Sequence, residues 1–206
     1  MPFAMTVDQA ESRDQPDLVE EVLGRFGTVA TLLPFSRTVG DEFQGLLDDP
    51  MSVVTVTLDL MRSATWHIGI GIGGVEQPLP RDSRSARGPA FLAARSAVES
   101  AKKELSHVSV RSEPATEEAD DAETFLHLVA TIHERRSELG WEAADLMRQG
   151  LSQAAAAAQL DITRQALGQR LSSAHWALDQ DARPVLGRLL ARAEAAATAS
   201  SQQPPP

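Results

Sequence analysis

Asp8 closes a short apolar run, Phe3 to Val7, while Asp41 and Glu42 sit in the tight Gly40-Asp41-Glu42 between two further apolar runs. If these runs are strands of one sheet, the three carboxylates meet at one edge, where they repel unless a cation bridges them. Hard oxygen donors of this kind suit magnesium or manganese. Asp and Glu are also good solvated turn residues, and spacing leaves both readings open. A second set lies in the last third: Ser152 and Gln153, then Thr163, Arg164 and Gln165, then Gln169, Arg170 and Ser173. Ser152 and Thr163 each stand where a cap begins a short helix. Between those helices Asp161 occupies a turn position, and Asp tolerates the left-handed conformation. Ala166, Leu167 and Leu171 form an inner face, which leaves Arg164, Gln165, Gly168, Gln169, Ser172 and Ser173 outward. Arg pairs with guanine, Gln with adenine, and Ser or Thr with either bases or phosphate. That face therefore has the chemistry to read double-stranded DNA. A third set is arginine: Arg81, Arg84, Arg87 and Arg95 follow one another closely. Arg87 and Arg95 are the candidates for a ligand phosphate, against the reading of solvated surface arginines.

These residues need elements to hold them. Phe3 to Val7 reads as a buried strand, and Pro16 to Leu33 has helical spacing, with Asp14 or Gln15 as its start. Phe35 to Val39 and Phe43 to Leu47 read as a hairpin. Met51 to Met61 is rich in Val and Thr yet has the length of a helix. Trp66 to Val75 alternates Gly and Ile as a strand; its bare glycine face is either covered by a neighbouring element or open to a flat ligand. Pro89 to Lys103 is helical and Val108 to Val110 a last strand. The order βαββαβ, followed by αβ, predicts an α+β protein with a ferredoxin-like sheet and helices on one face. Residues 1–112 form this unit. Residues 113–121 are an acidic stretch without large apolar residues, read as a solvated linker grading into the next helix. Residues 122–197 read as all-helical, and 198–206 as a disordered tail.

Composition sets the limits. The chain has 206 residues and no Cys, which excludes disulfides, thiol catalysis and cysteine-based zinc sites. The net charge of −10 argues against coating nucleic acid by bulk electrostatics. Residues 122–206, however, are nearly balanced, at −1. Without an apolar run of membrane length or a leader, a cytoplasmic location is expected. The five histidines show no metal-ligand spacing, and His127 and His133 read as surface residues. Trp141 and Trp176 read as core.

Gly40-Asp41-Glu42-Phe43 matches the last four letters of the GGDEF signature of diguanylate cyclases. The wider arrangement resembles the palm domain of class III nucleotidyl cyclases, which implies that Asp8 and Asp41 hold metal. His67 to Val75 is similar to the glycine-rich strand of those cyclases, and Gly88 to Arg95 to their helix ending in Ala-Arg. Val39 stands in place of the first Gly of the signature, and Phe91 where the cyclases carry Asn. Asp8 lacks a following phosphate-cradling Gly, so turnover is not expected. A closer resemblance, over roughly residues 3–104, is to the SatD family of small bacterial proteins. Its pattern is Asp8 with Ser12-Arg13, Gly40 to Gln44, and Gly88 to Phe91. Leu151 to Leu171 resembles the helix-turn-helix of LuxR-type and sigma-region-four-type DNA readers. Together these imply a bacterial transcriptional regulator, a homodimer whose palm domain dimerises or senses a ligand such as a nucleotide. A metal-dependent nucleotidyl-transfer enzyme and a protein-interaction module are the alternatives.

Overall fold

Phe3, Met5 and Val7 turn to one face of a strand and Ala4 and Asp8 to the other, the period of two that a pleated backbone imposes. The computed structural model describes residues 1–10, 16–63 and 65–202. This strand, β1 (Phe3–Gln9), is central in a five-stranded sheet. Its companions are β2 (Leu33–Arg37), β3 (Glu42–Leu47), β4 (Trp66–Gly73) and β5 (Val108–Glu113), in the order β2-β3-β1-β4-β5. β1 runs antiparallel to β3 and β4, β2 antiparallel to β3, and β4 parallel to β5. The chain is thus mixed α and β, with eight α-helices among the described residues. None of them is long and apolar enough to cross a membrane.

The helices divide between the two faces. α1 (Val19–Phe26) and α2 (Pro50–Leu60) share one apolar cluster with Phe3, Met5, Val7, Ile68, Ile70 and Ile72. α1 starts at Val19 rather than at Pro16, because Gln9 takes the place of a cap: its Oε1 accepts from the Leu18 amide and its Nε2 donates to the Pro16 carbonyl. Asp14 and Gln15 lie outside the described residues, as do Ser12 and Arg13. The Val- and Thr-rich segment is helix α2, opened by Asp49, which accepts from the amides of Met51 and Ser52. Burial on most sides, with Val53, Val54, Val56, Thr57, Leu58 and Leu60 all inside, overrides its strand propensity. α3 (Pro89–Ala101) covers the other face.

The stretch 113–121 departs from the expected linker. Glu113 ends β5, and α4 (Glu117–Glu134) begins within the acidic run, capped by Thr116. Glu117, Glu118 and Asp120 occupy its first turn, where acidic charge complements the helix dipole. Ala119, Ala122, Leu126 and Val129 of α4 then pack into the same core as the sheet. So do Ala182, Leu186, Leu190, Ala193 and Ala197 of the final helix, α8 (Trp176–Ser201). Residues 198–201 are therefore helical rather than tail, and Pro184 lies within α8; residues 203–206 lie outside the described residues. Between α4 and α8, a smaller unit of α5 (Glu138–Arg148), α6 (Gln153–Gln159) and α7 (Arg164–Ser173) has its own core. The division by packing falls around α5–α7, not at residue 121.

Candidate functional site

The α6–α7 pair is built from local signals that agree. Ser152 Oγ accepts from the Ala155 amide at 3.2 Å and starts α6. Leu160 ends it, and Asp161 takes φ +52°, which turns the chain toward Thr163. Thr163 Oγ1 accepts from the Ala166 amide at 3.1 Å and starts α7. Ala156, Ala157, Leu167 and Leu171 are buried against Ala143 and Leu146 of α5. Ser152, Gln153, Thr163, Arg164, Gln165, Gln169 and Ser173 are all exposed. Gly168 stands among them, and a Cβ added there meets nothing within 4 Å. Arg170, the remaining candidate on α7, is engaged within the unit: its Nη1 donates to Glu142 of α5 at 2.9 Å, fastening α7 to its neighbour.

The three carboxylates stand at the hairpin end of the β1–β3 pair. Asp8 and Glu42 are register partners across β1 and β3. Their charges are met separately. Asp8 pairs with Lys102 Nζ at 3.1 Å, at the end of α3, and Glu42 Oε1 accepts from Thr38 Oγ1 at 2.5 Å. Asp41 lies in the turn beside Arg37, whose charge it supports. Among the described residues no group of three His, Cys, Asp or Glu comes together to hold a metal ion. Lys102 stays firmly protonated between Asp8 and Glu99, whose carboxylates outweigh the cost of its burial.

The glycine face of β4 is filled rather than open. A Cβ at Gly71 would fall 2.1 Å from the Ala90 carbonyl oxygen and 2.2 Å from the Ala94 amide, and Gly69 meets α3 as closely. Glycine permits the close helix-to-strand approach, which leaves no room for a flat ligand. Phe91 joins Ala4, Leu33 and Leu46 in the small core beneath α3, while Val39 is 82% exposed at the hairpin. Arg87 and Arg95 are exposed and form no ion pair among the described residues.

A charged cluster that the sequence did not announce lies where α4, α5 and α8 meet. His133, expected at the surface, is 3% exposed, and its Nε2 bonds Asp179 Oδ1 at 2.7 Å. Arg183 Nη2 reaches Asp179 Oδ2 at 3.4 Å, and Arg136 Nη2 stands 3.9 Å from Oδ1. Burial raises the Asp179 pKa, but His133 and the two arginines outweigh it and bring it down to about 2. Burial holds His133 below its ordinary value, so the ring is neutral near pH 7, and it also lowers the Arg136 pKa. Trp141 is half-buried, not core: Arg136 lies 4.3 Å and Arg62 4.9 Å from its ring centre. Arg62 and Arg148 both pair with Asp145. The one sequence signal was the Glu-Arg-Arg pair of arginines after His133 in a chain with few basic residues.

Comparison of the chain with family models, with curated proteins and with solved structures finds no match.

Proposed function

We propose that the protein is a sequence-specific DNA-binding regulator in which α6 and α7 act as a helix-turn-helix and α7 enters the major groove. The observation that carries this reading is the outward face of α7, where Arg164, Gln165, Gln169 and Ser173 are exposed while Leu167 and Leu171 anchor the helix behind them. Gly168 supports it. Glycine inside a helix costs about 1 kcal/mol relative to alanine, and here no contact among the described residues requires it. Open space over Gly168 is what a closely approaching partner backbone needs. Ser152, Gln153 and Thr163, at the two helix starts, face outward to meet phosphates. The strand order and pairing of β1 to β4 support a ferredoxin-like, split βαβ palm like that of the cyclases and of SatD proteins. Within this reading the palm is non-catalytic and serves dimerisation or sensing.

The test is selection of bound duplexes from a random pool with the full chain, followed by affinity measurement on the enriched site. Arg164→Ala is expected to weaken that site by about 1–3 kcal/mol and to relax the preference at one base pair. No enriched site, or unchanged affinity in the Arg164→Ala, Gln169→Ala double variant, overturns the assignment.

A further inference from the structure

Strand pairing brings together two histidines that lie far apart in the chain. β4 and β5 run parallel with Ile68 opposite Val108, so His67 and His107, one residue before each, stand side by side at the same end of the sheet. Their Nδ1 atoms are 3.2 Å apart, their ring centres 5.0 Å apart, and their planes inclined by 51°. Two imidazole nitrogens, each about 2.0–2.1 Å from one zinc ion at a tetrahedral angle, lie about 3.3 Å from each other. Rings converging on such an ion have centres about 5 Å apart, against about 5.5 Å for an in-line N–H···N bond. Both residues are partly exposed, so the pair stands at the surface and not in the core.

We propose that His67 and His107 bind a divalent transition-metal ion of the zinc class through their Nδ1 atoms, with Asp8 as the third protein ligand and water completing the shell. Imidazole nitrogens suit zinc, whereas magnesium prefers oxygen donors. Asp8 is the register partner of His67 on the neighbouring strand β1, so the two side chains project from one face of the sheet. Its carboxylate pairs with Lys102 Nζ at 3.1 Å, and Lys102 has a second partner in Glu99 at 2.8 Å. Asp8 can therefore turn to the ion without leaving the ammonium unpaired.

The two rings are held in advance. His67 also donates to the Ala101 carbonyl at the end of α3. A neutral imidazole has one N–H to give, so Nδ1 turns its lone pair to His107. Metal-binding histidines are commonly oriented in this way, by a carbonyl on the other ring nitrogen. His107 is fixed through its backbone: its amide donates to the Glu104 carbonyl at 3.1 Å, and its carbonyl accepts from the Ile68 amide at 2.8 Å. It takes φ +54°, which Gly or Asn adopts at lower cost, yet an imidazole stands there. On binding the ion, His107 carries its proton on Nε2 in place of Nδ1, and none leaves the pair. The site does not depend on the proposed function, and its test uses no DNA.

Zinc chloride and magnesium chloride are titrated separately into the full chain at neutral pH, while melting temperature and binding heat are followed. Saturable stabilisation by zinc, with none by magnesium, is the expected result. His107→Asn removes the imidazole yet suits the left-handed backbone; it should weaken zinc binding roughly tenfold or more. His175→Asn makes the same exchange at φ +51°, at the start of α8, and should leave zinc affinity unchanged. Asp8→Asn should weaken binding severalfold. In the parent chain the Nδ1 resonances of His67 and His107 should move as zinc is added, a readout that needs no variant. Four outcomes overturn the proposal: no saturable effect of zinc, an equal effect of magnesium, zinc affinity unchanged in His107→Asn or Asp8→Asn, or nitrogen shifts confined to His127, His133 or His175.

Discussion

Asp179 is held by three basic groups in a place where water does not reach it, and the consequence is a specific acid lability. Its carboxyl is depressed from 3.8 to about 2, so its stabilisation is complete above about pH 4 and is lost as the pH falls toward 2. The size is about 2 kcal/mol. His133 acts in the same direction at higher pH. Its folded value lies below the ordinary 6.5, so the unfolded chain takes up the proton first and stability declines as the pH falls through that value. Urea midpoints measured from neutral pH down to about pH 3 should fall in these two windows. Asp179→Asn should already be less stable at neutral pH by about 3–5 kcal/mol, since it strands buried cations, and its midpoint should be flatter below pH 4. Equal acid slopes in parent and variant would show that another group controls the loss. Gly168 gives a second test at this scale. Gly168→Ala should stabilise the protein by up to about 1 kcal/mol in thermal melts while weakening DNA binding, a combination that a merely structural glycine does not produce.

Where a local rule and its context agreed, the elements could be read from the sequence. Ser152, Asp161 and Thr163 act within four residues of themselves, so the two short helices and their turn were readable before any packing was known. Thr163→Ala should cost about 1 kcal/mol and Asp161→Val about 1–2 kcal/mol, while Asp161→Gly should be neutral or mildly stabilising; thermal melts of the three distinguish a left-handed turn from an ordinary one. The glycine strand was readable as a strand, but not in what covers it, because the approach of α3 depends on alanines some twenty residues away. Gly71→Ala should therefore destabilise by roughly 3 kcal/mol, read from the urea midpoint, since its Cβ meets backbone that no rotamer can move aside. Asp8 and Glu42 come into register across β1 and β3, whereas the ion pair of Asp8 with Lys102 comes from the far end of a helix and left no mark in the spacing. His133 was hidden for the same reason. Its partner lies 46 residues on, and one histidine on a helix looks alike whether it meets water or a buried aspartate.

At the scale of the whole molecule, charge and packing draw different boundaries. The acidic run at 113–121 marks a change in composition, yet the core passes straight through it, since α4 and α8 cover the same sheet face as α1 and α2. Cutting at 121 would uncover Leu126, Val129, Leu186 and Leu190 at once. At about 2 kcal/mol for each large side chain, the loss of roughly 8 kcal/mol matches the whole stability of an ordinary domain. Neither 1–121 nor 122–206 should then give a dispersed amide spectrum when made alone. A different excision follows the packing. Arg136 Nε donates to the Ala174 carbonyl at 2.9 Å, and a Cβ at Gly140 would lie 3.1 Å from that of Ala174, so the chain enters and leaves the α5–α7 unit at nearly the same point. Replacing residues 138–173 with a short Gly-Ser connection keeps α4 and α8 in place and removes only a unit that has a core of its own. That variant should remain folded, with dispersed signals for the sheet, and should lose DNA binding entirely. It gives up the ring of Trp141 and the Arg62–Asp145 pair, so its melting temperature should drop below that of the parent. If it instead fails to fold while 1–121 succeeds, the helical half stands apart from the sheet, and the boundary drawn by charge is the true one.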